Sequence, residues 1–420
     1  MKLLYFIFIH VYPIIVRIAS LKNEKAKLWI KGRKNIFDQL EKTNIQKSDF
    51  VVWIHCASLG EFEQGRPIIE AIKKQHNHVK IVLTFFSPSG YEVRKNYKYA
   101  DWVFYLPMDS PQNAQRFFAI IQPKIIFFVK YEFWNFYLQE AKKQAVETIL
   151  ISGIFRETQP FFKWYGFFHR NMLRCFTQLF VQNNQSKKLL EKIGFNQQVI
   201  IHGDTRFDRV IATAAEFSSI EPIEKWIQKN KTVIVAGSTW YEDDVLLASL
   251  AKKHSHIQLI IAPHSIENNR IKECKELYNR PNLYSQIQDT NNNHQASNVL
   301  VIDNVGMLSR LYKYANICYV GGGFTKDGIH NILEAAVYGK PIIIGSNYQK
   351  YAEAIDLVKL QAVYPIKNAL ELEHLVNKLL NDIHLYKQAS TESFNYVHQH
   401  KGATKLVEEY LYEKRLFTKL

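Results

Sequence analysis

The chain has 420 residues, more than one hydrophobic core usually serves, and its 47% hydrophobic and 22% charged content reads as two globular domains of comparable size. A formal net charge of +15 calls for an anionic partner, whether lipid, nucleic acid or small molecule, and charge alone does not choose among them. Four cysteines, at 56, 175, 274 and 318, lie far apart with no CxxC pair, which argues against a disulfide framework or structural zinc site and fits a reducing compartment.

At the N-terminus, residues 3–16 are strongly apolar, and Arg17, Lys22, Lys25, Lys27, Lys31, Arg33 and Lys34 follow. This is a membrane-seeking pattern, assigned to residues 1–22. The run is shorter than the roughly 20 residues needed to span, and His10 and Pro13 interrupt it, so an interfacial anchor and a true span both stand. The basic flank favours the cytoplasmic face of an inner membrane, and no small-residue cleavage site follows, as a signal peptide requires. An anchored chain also argues against nucleic acid as the partner.

From residue 50, apolar runs alternate with amphipathic stretches. Strands are predicted near 51–56, 79–86, 102–106, 124–129, 147–152, 178–182 and 198–202, a βαβ rhythm that implies a parallel sheet covered on both faces. Residues 153–177 interleave aromatic and basic side chains; they read equally as a surface for lipid or an anionic acceptor and as a core-facing helix with a solvated basic face. The pattern pauses at 203–209 and again at 218–222, which reads as an interdomain connection. A second series follows, with strands near 231–236, 257–262, 299–302, 316–320, 341–345 and 361–364, and helices near 243–253, 267–278, 306–313, 331–338 and 350–358. The Asn-, Gln- and Ser-rich stretch 285–298 is expected to be a loop. The fold expected is α/β, with two doubly wound Rossmann-like domains facing a cleft, 23–215 and 216–420, the last helix free to pack back on the first domain.

Candidate chemistry sits at the carboxyl ends of these strands, where ligands bind in open α/β sheets. In the first half, Ser58-Leu-Gly-Glu61 halts an apolar run, with Gly60 allowing close approach and Glu61 at the head of a helix, where a carboxylate also complements the macrodipole. Glu132, in Lys130-Tyr-Glu-Phe-Trp134, occupies the same kind of position. In the second half, the Gly321-Gly-Gly323 turn before a helix starting near Asn331 has the geometry of an anion site, with Glu334 one turn in as an acceptor for ribose hydroxyls. The GGG spacing is not that of a dinucleotide fingerprint. Gly237, Ser238 and Thr239 follow one strand, Pro263 and His264 another, and Val305, Gly306 and Met307 begin a third loop; Arg270 is a further phosphate donor. Together they suggest a nucleotide-type site. No GxSxG elbow is present, and the paired histidines at 76/78, 254/256 and 398/400 lack companion ligands, so neither a serine hydrolase nor a metal site is expected.

These residues together resemble the 3-deoxy-D-manno-octulosonic acid (Kdo) transferases of Gram-negative bacteria, inverting glycosyltransferases of the GT-B fold. The likeness runs through Ser58-Leu-Gly-Glu61, Glu132-Phe-Trp134, residues 203–208, Ala236-Gly-Ser-Thr239, Ala262-Pro263, Val305-Gly306 and Asn331-Ile-Leu-Glu334. The resemblance implies Glu61 as general base and CMP contacts at Pro263 and His264, at Val305, Gly306 and Met307, and at Asn331, Ile332, Leu333 and Glu334. It implies CMP-Kdo as donor, a lipid A precursor as acceptor, an inner-membrane surface, and neither cofactor nor metal. His264 stands where the family often has Arg. Residues 152–156 depart from the family's segment, so Arg156 stays outside the site. The alternative is another GT-B nucleotide-sugar enzyme, a UDP-sugar transferase or epimerase.

Overall fold

The computed structural model describes residues 1–288 and 297–417. Two compact units share the chain: Met1–Arg209 with the stretch from Lys401, and Val210–His400.

The first unit holds seven parallel strands, β1 (Val51–Cys56), β2 (Lys80–Phe85), β3 (Trp102–Tyr105), β4 (Ile125–Val129), β5 (Glu147–Gly153), β6 (Gln178–Val181) and β7 (Val199–Ile201). Their order is β3-β2-β1-β4-β5-β6-β7. Strands buried on both faces read as unbroken apolar runs, and β1 and β4 are buried at every position. The chain steps outward from β1 through β2 to β3, then returns to the other side of β1 as β4. This reversal opens the switch-point crevice between β1 and β4, at the sheet's carboxyl edge. The C-terminal helix Ala403–Glu413 belongs to this unit, where Val407, Tyr410 and Leu411 join the core cluster of Ile54 and Phe62.

The connection read from sequence around 203–225 contains the boundary between the units, at Arg209 and Val210, and the helix Thr205–Ala215 carries the chain through it. Asp208 on that helix accepts the backbone N–H groups of Gly402 and Thr404, both at 2.6 Å, and so fixes the returning chain. Residues 153–177 divide between both readings: Phe155 and Phe161 are buried, whereas Trp164 is 91% and Phe167 63% exposed. A single turn of 3₁₀ helix (Pro160–Phe162) and a short helix (Phe167–Leu173) replace one long element.

The N-terminal helix is continuous from Lys2 to Ala19, through Pro13. It is long and apolar enough to cross a membrane by length and composition. Yet it lies against the first unit: the Tyr5 hydroxyl donates to Asp109 and accepts the Asn135 N–H at 3.0 Å, Ile9 is buried, and Tyr12 packs on Trp29 and Phe86. Residues 5, 9 and 12 form one stripe at helical spacing. The rest of its surface leaves Leu4, Ile7, Val11, Ile15 and Ile18 exposed.

The second unit also holds seven parallel strands, β8 (Thr232–Thr239), β9 (Ile257–Pro263), β10 (Asn282–Leu283), β11 (Val299–Val301), β12 (Ile317–Val320), β13 (Ile342–Gly345) and β14 (Val363–Ile366). The order β10-β11-β9-β8-β12-β13-β14 places its switch point between β8 and β12. The two-residue β10 carries too little pattern to be read from sequence. Of the loop expected at 285–298, residues 284–287 form a helical turn and 289–296 lie outside the described residues.

The three consecutive glycines are demanded by backbone crossings. A Cβ on Gly321 would come within 2.5 Å of the Ser238 carbonyl oxygen, Gly322 has φ +91°, and a Cβ on Gly323 would meet the Gly345 backbone at 2.5 Å. Gly323→Ala is therefore expected to lower stability by about 1–3 kcal/mol or more, because the neighbour is backbone and cannot rotate away. Urea denaturation followed by circular dichroism would show a lowered midpoint; an unchanged midpoint would contradict the crossing.

Candidate functional site

At the first unit's switch point, Ala57 and Ser58 follow β1, and the helix Leu59–Gln75 begins with Ser58 as N-cap. Glu61 lies in the first turn and turns its carboxylate back to accept the Ala57 N–H at 2.5 Å. It is thus a dipole partner as well as a candidate base. Burial, and then the charge of Glu132, push its carboxyl up to about 8, against the pull of the Ala57 N–H and the Lys130 cation. An acid–base group tuned near working pH is what general-base catalysis favours.

Glu132 follows the end of β4, next to β1, and is held in a hydrogen-bonded cluster with His55, Thr84 and two tryptophans. The Trp53 indole can only donate, and it donates to the Thr84 hydroxyl oxygen at 2.8 Å. The Thr84 hydroxyl lies 2.8 Å from Nδ1 of His55, whose Nε2 lies 2.9 Å from Glu132 Oε2 and 3.1 Å from the Trp134 indole N–H. The Trp134 indole N–H reaches the same oxygen at 2.6 Å. Trp53 and His55 are two apart on β1 and share a face, and His55 pairs in register with Thr84 on β2. Sequence reasoning missed His55 and Trp53, and offered Thr84 only as a hydroxyl at the end of a buried strand. A polar residue at the centre of a buried strand was the available signal.

Residues 203–208 buttress this corner. Asp204 accepts from Gln64, one turn beyond Glu61, at 3.0 Å and pairs with Arg206 at 2.8 Å, while the Thr205 hydroxyl donates to the Gln64 carbonyl at 2.5 Å.

In the second unit, Gly237 to Thr239 end β8, next to β12. A Cβ on Gly237 would strike the Tyr312 hydroxyl, and Ser238 has φ +55° where the register with β9 shifts. Asp243 ties the two strand ends together by accepting the Trp240 and Gly322 N–H groups, both at 2.9 Å, and the Tyr319 hydroxyl at 2.7 Å. Pro263 ends β9, and the His264 N–H donates to the Thr239 carbonyl at 3.0 Å. The His264 ring lies between Trp240 and His330, with centroids 4.5 Å from each at interplanar angles of 20° and 28°. Burial lowers the proton affinity of His264, and burial together with His264 takes His330 down to about 4. The position where the family often has Arg thus carries a neutral imidazole held in a stack, an edge donor in place of a cation. Trp240 and His330 had not been singled out, though each adjoins a motif that was.

Two expectations are corrected. The helix expected at 331–338 is the single turn Leu333–Ala336, so a full helix macrodipole does not aim at the glycine turn. Asn331 stands two residues before it, accepting the Leu333 N–H at 3.2 Å and donating to Glu334 at 3.0 Å, and Ile332 and Leu333 are buried. The expected helix at 306–313 is likewise Leu308–Leu311 followed by a 3₁₀ turn; Val305 is exposed, Gly306 has φ +88°, and Met307 is buried. Arg270, considered as a phosphate donor, is bound to the buried Asp244 and to Glu273.

Two seven-stranded parallel sheets in one chain, each with side chains gathered at its switch point, define a GT-B-type α/β fold. The UDP-GlcNAc 2-epimerase of Neisseria meningitidis, solved with UDP-GlcNAc, matches 86% of this chain and 99% of its own at a TM-score of 0.60 and 18% identity, a likeness of fold. Residues 31–209 match the family model described as 3-deoxy-D-manno-octulosonic-acid transferase. The 3-deoxy-D-manno-octulosonic acid transferase of Haemophilus influenzae is 25% identical over 84% of each chain. The bifunctional glycosyltransferase/methyltransferase of Fusobacterium nucleatum is 26% identical over 80% of this chain, which spans about half (53%) of that relative's length. The first unit thus matches the Kdo-transferase family model, and most of the chain resembles transferases at about 25% identity.

Proposed function

We propose that this chain transfers Kdo from CMP-Kdo to a lipid A precursor, lipid IVA, at the cytoplasmic face of the inner membrane. Glu61 takes the proton of an acceptor sugar hydroxyl, and the oxygen attacks the anomeric carbon of Kdo as the bond to the CMP phosphate breaks. One bond forms as one breaks, configuration inverts, and CMP leaves as the anion. The observation that carries this reading is a half-buried carboxylate with its proton affinity raised to about 8 at the switch point of a unit that matches the Kdo-transferase model.

On the donor side, the reading assigns the CMP phosphate to the loop edge of the second unit. Donors there are the stacked His264 and backbone groups around Ser238, Gly306 and Asn331, which act where charge develops on the leaving group. The exposed face of the N-terminal helix supplies the membrane surface on which a lipid acceptor is met.

The test is to incubate the purified chain with CMP-Kdo and lipid IVA and weigh the lipid product. A mass increase of one or more Kdo units, inhibited by CMP and not by UDP, is expected. Inhibition by UDP with turnover of a UDP-sugar would replace this reading with the alternative GT-B enzyme.

A further inference from the structure

Beside the N-terminal helix lies a cavity of about 710 Å³ that neither the acid–base corner nor the nucleotide loops use. One wall is Pro13, Ile14 and Arg17, from the same helix whose outer face is apolar and exposed. The opposite walls come from the helix Glu24–Arg33, from residues 34–38 and from residues 107–116.

Its lining has two chemistries. Ile14, Ile30, Ile36, Phe37 and Met108 are apolar, whereas Arg17, Lys31, Arg33, Lys34 and Arg116 are cationic against the single acid Asp38. Two of the cations are committed elsewhere: Arg33 lies over the Trp29 ring and donates to the Leu106 and Phe86 carbonyls, and Arg116 pairs with Glu41 at 2.7 Å. Among the described residues, the side chains of Arg17, Lys31 and Lys34 make no ion pair. Three uncommitted cations around an apolar pocket suit a ligand that joins an anionic group to hydrocarbon. The volume falls within the range of small-molecule sites and exceeds what inorganic phosphate needs.

We propose that this cavity binds the headgroup and upper acyl carbons of an anionic phospholipid, with Arg17, Lys31 and Lys34 on the phosphate. Continuity with the exposed apolar face of the helix selects the bilayer as the source: a helix lying in the interface holds its flanking cations at headgroup depth. The lipid would fix how the first unit sits on the membrane, whatever sugar is transferred.

The test uses the full chain and dihexanoyl phosphatidylglycerol, kept monomeric, in calorimetric titrations. One-to-one binding is expected, weakened several-fold or more in Lys31→Gln/Lys34→Gln and unchanged in Lys187→Gln/Lys188→Gln, a control pair on the helix Asn184–Glu191. Dihexanoyl phosphatidylcholine and inorganic phosphate should each bind more weakly. Equal weakening by the control pair would show bulk charge attraction and overturn the site. Equal affinity for inorganic phosphate would remove the apolar half of the proposal, and equal affinity for phosphatidylcholine the anionic half; either result overturns it. All three measurements are independent of transferase activity.

Discussion

Glu61→Gln is expected to reduce turnover by about 10²–10⁴-fold, the usual contribution of a positioned general base, with little change in affinity for the donor nucleotide. The same substitution should stabilise the fold. A carboxyl whose folded-state value is raised from 4.5 to about 8 is held less easily as an anion in the native chain than in the unfolded one. Between those two values the native state binds more protons, so the wild-type residue lowers stability progressively as pH rises from about 4.5 to about 8. Glutamine does not titrate and escapes this loss. A tenfold difference in proton affinity between the folded and unfolded chain corresponds to about 1.4 kcal/mol, so a gain on the order of 2–4 kcal/mol is expected at pH 9 and little at pH 4. Thermal melts of both proteins at the two pH values would measure it. Near-normal turnover in a folded Glu61→Gln protein would remove Glu61 as the base.

Glu132→Gln is expected to move the ascending limb of the pH–rate profile down by about one pH unit, because a neighbouring like charge typically makes a carboxyl about tenfold or more harder to ionise. Wild-type activity should rise with pH to a plateau above about 8, where Glu61 is ionised. Without the Glu132 charge, burial still raises Glu61, opposed by the Ala57 N–H and by Lys130; the limb then lies at about pH 7. At pH 6 the variant would run about tenfold closer to its own plateau than the wild type does to its own. The amide that Glu132→Gln leaves in place offers an oxygen to the Trp134 N–H and either an acceptor or a donor to His55, so the constellation stays assembled and the charge is what changes. A limb that stays in place, whatever the plateau height, would mean that Glu132 does not tune Glu61.

The strands were legible because parallel strands covered on both faces carry apolar side chains at nearly every position, and β1, β4, β8 and β9 read this way without a gap of more than a residue or two. The short donor-side helices were not. An amphipathic stretch at 331–338 looks helical in isolation. In the chain, the preceding loop is tied down by the His330 N–H on the Gly321 carbonyl and the Ile329 N–H on the Asn347 carbonyl, and only Leu333–Ala336 is helical. Nor could composition divide the aromatic segment, since Phe161 and Trp164 differ in burial through the direction of one turn and not through chemistry.

By itself the sequence determined that carboxylates, hydroxyls and glycines would stand at strand ends, because an apolar run that stops at a polar turn marks the edge of a buried sheet wherever it occurs. Ser58, Glu61, Glu132, Gly237 and Pro263 were placed by that rule. Only the tertiary structure decided what Glu61 is. Its neighbour Glu132 is brought near by the reversal of strand order that sets β4 beside β1, and that carboxylate is held by His55 and Trp134. Proton affinity depends on burial and on charges distant in sequence, and neither exists until the chain has folded.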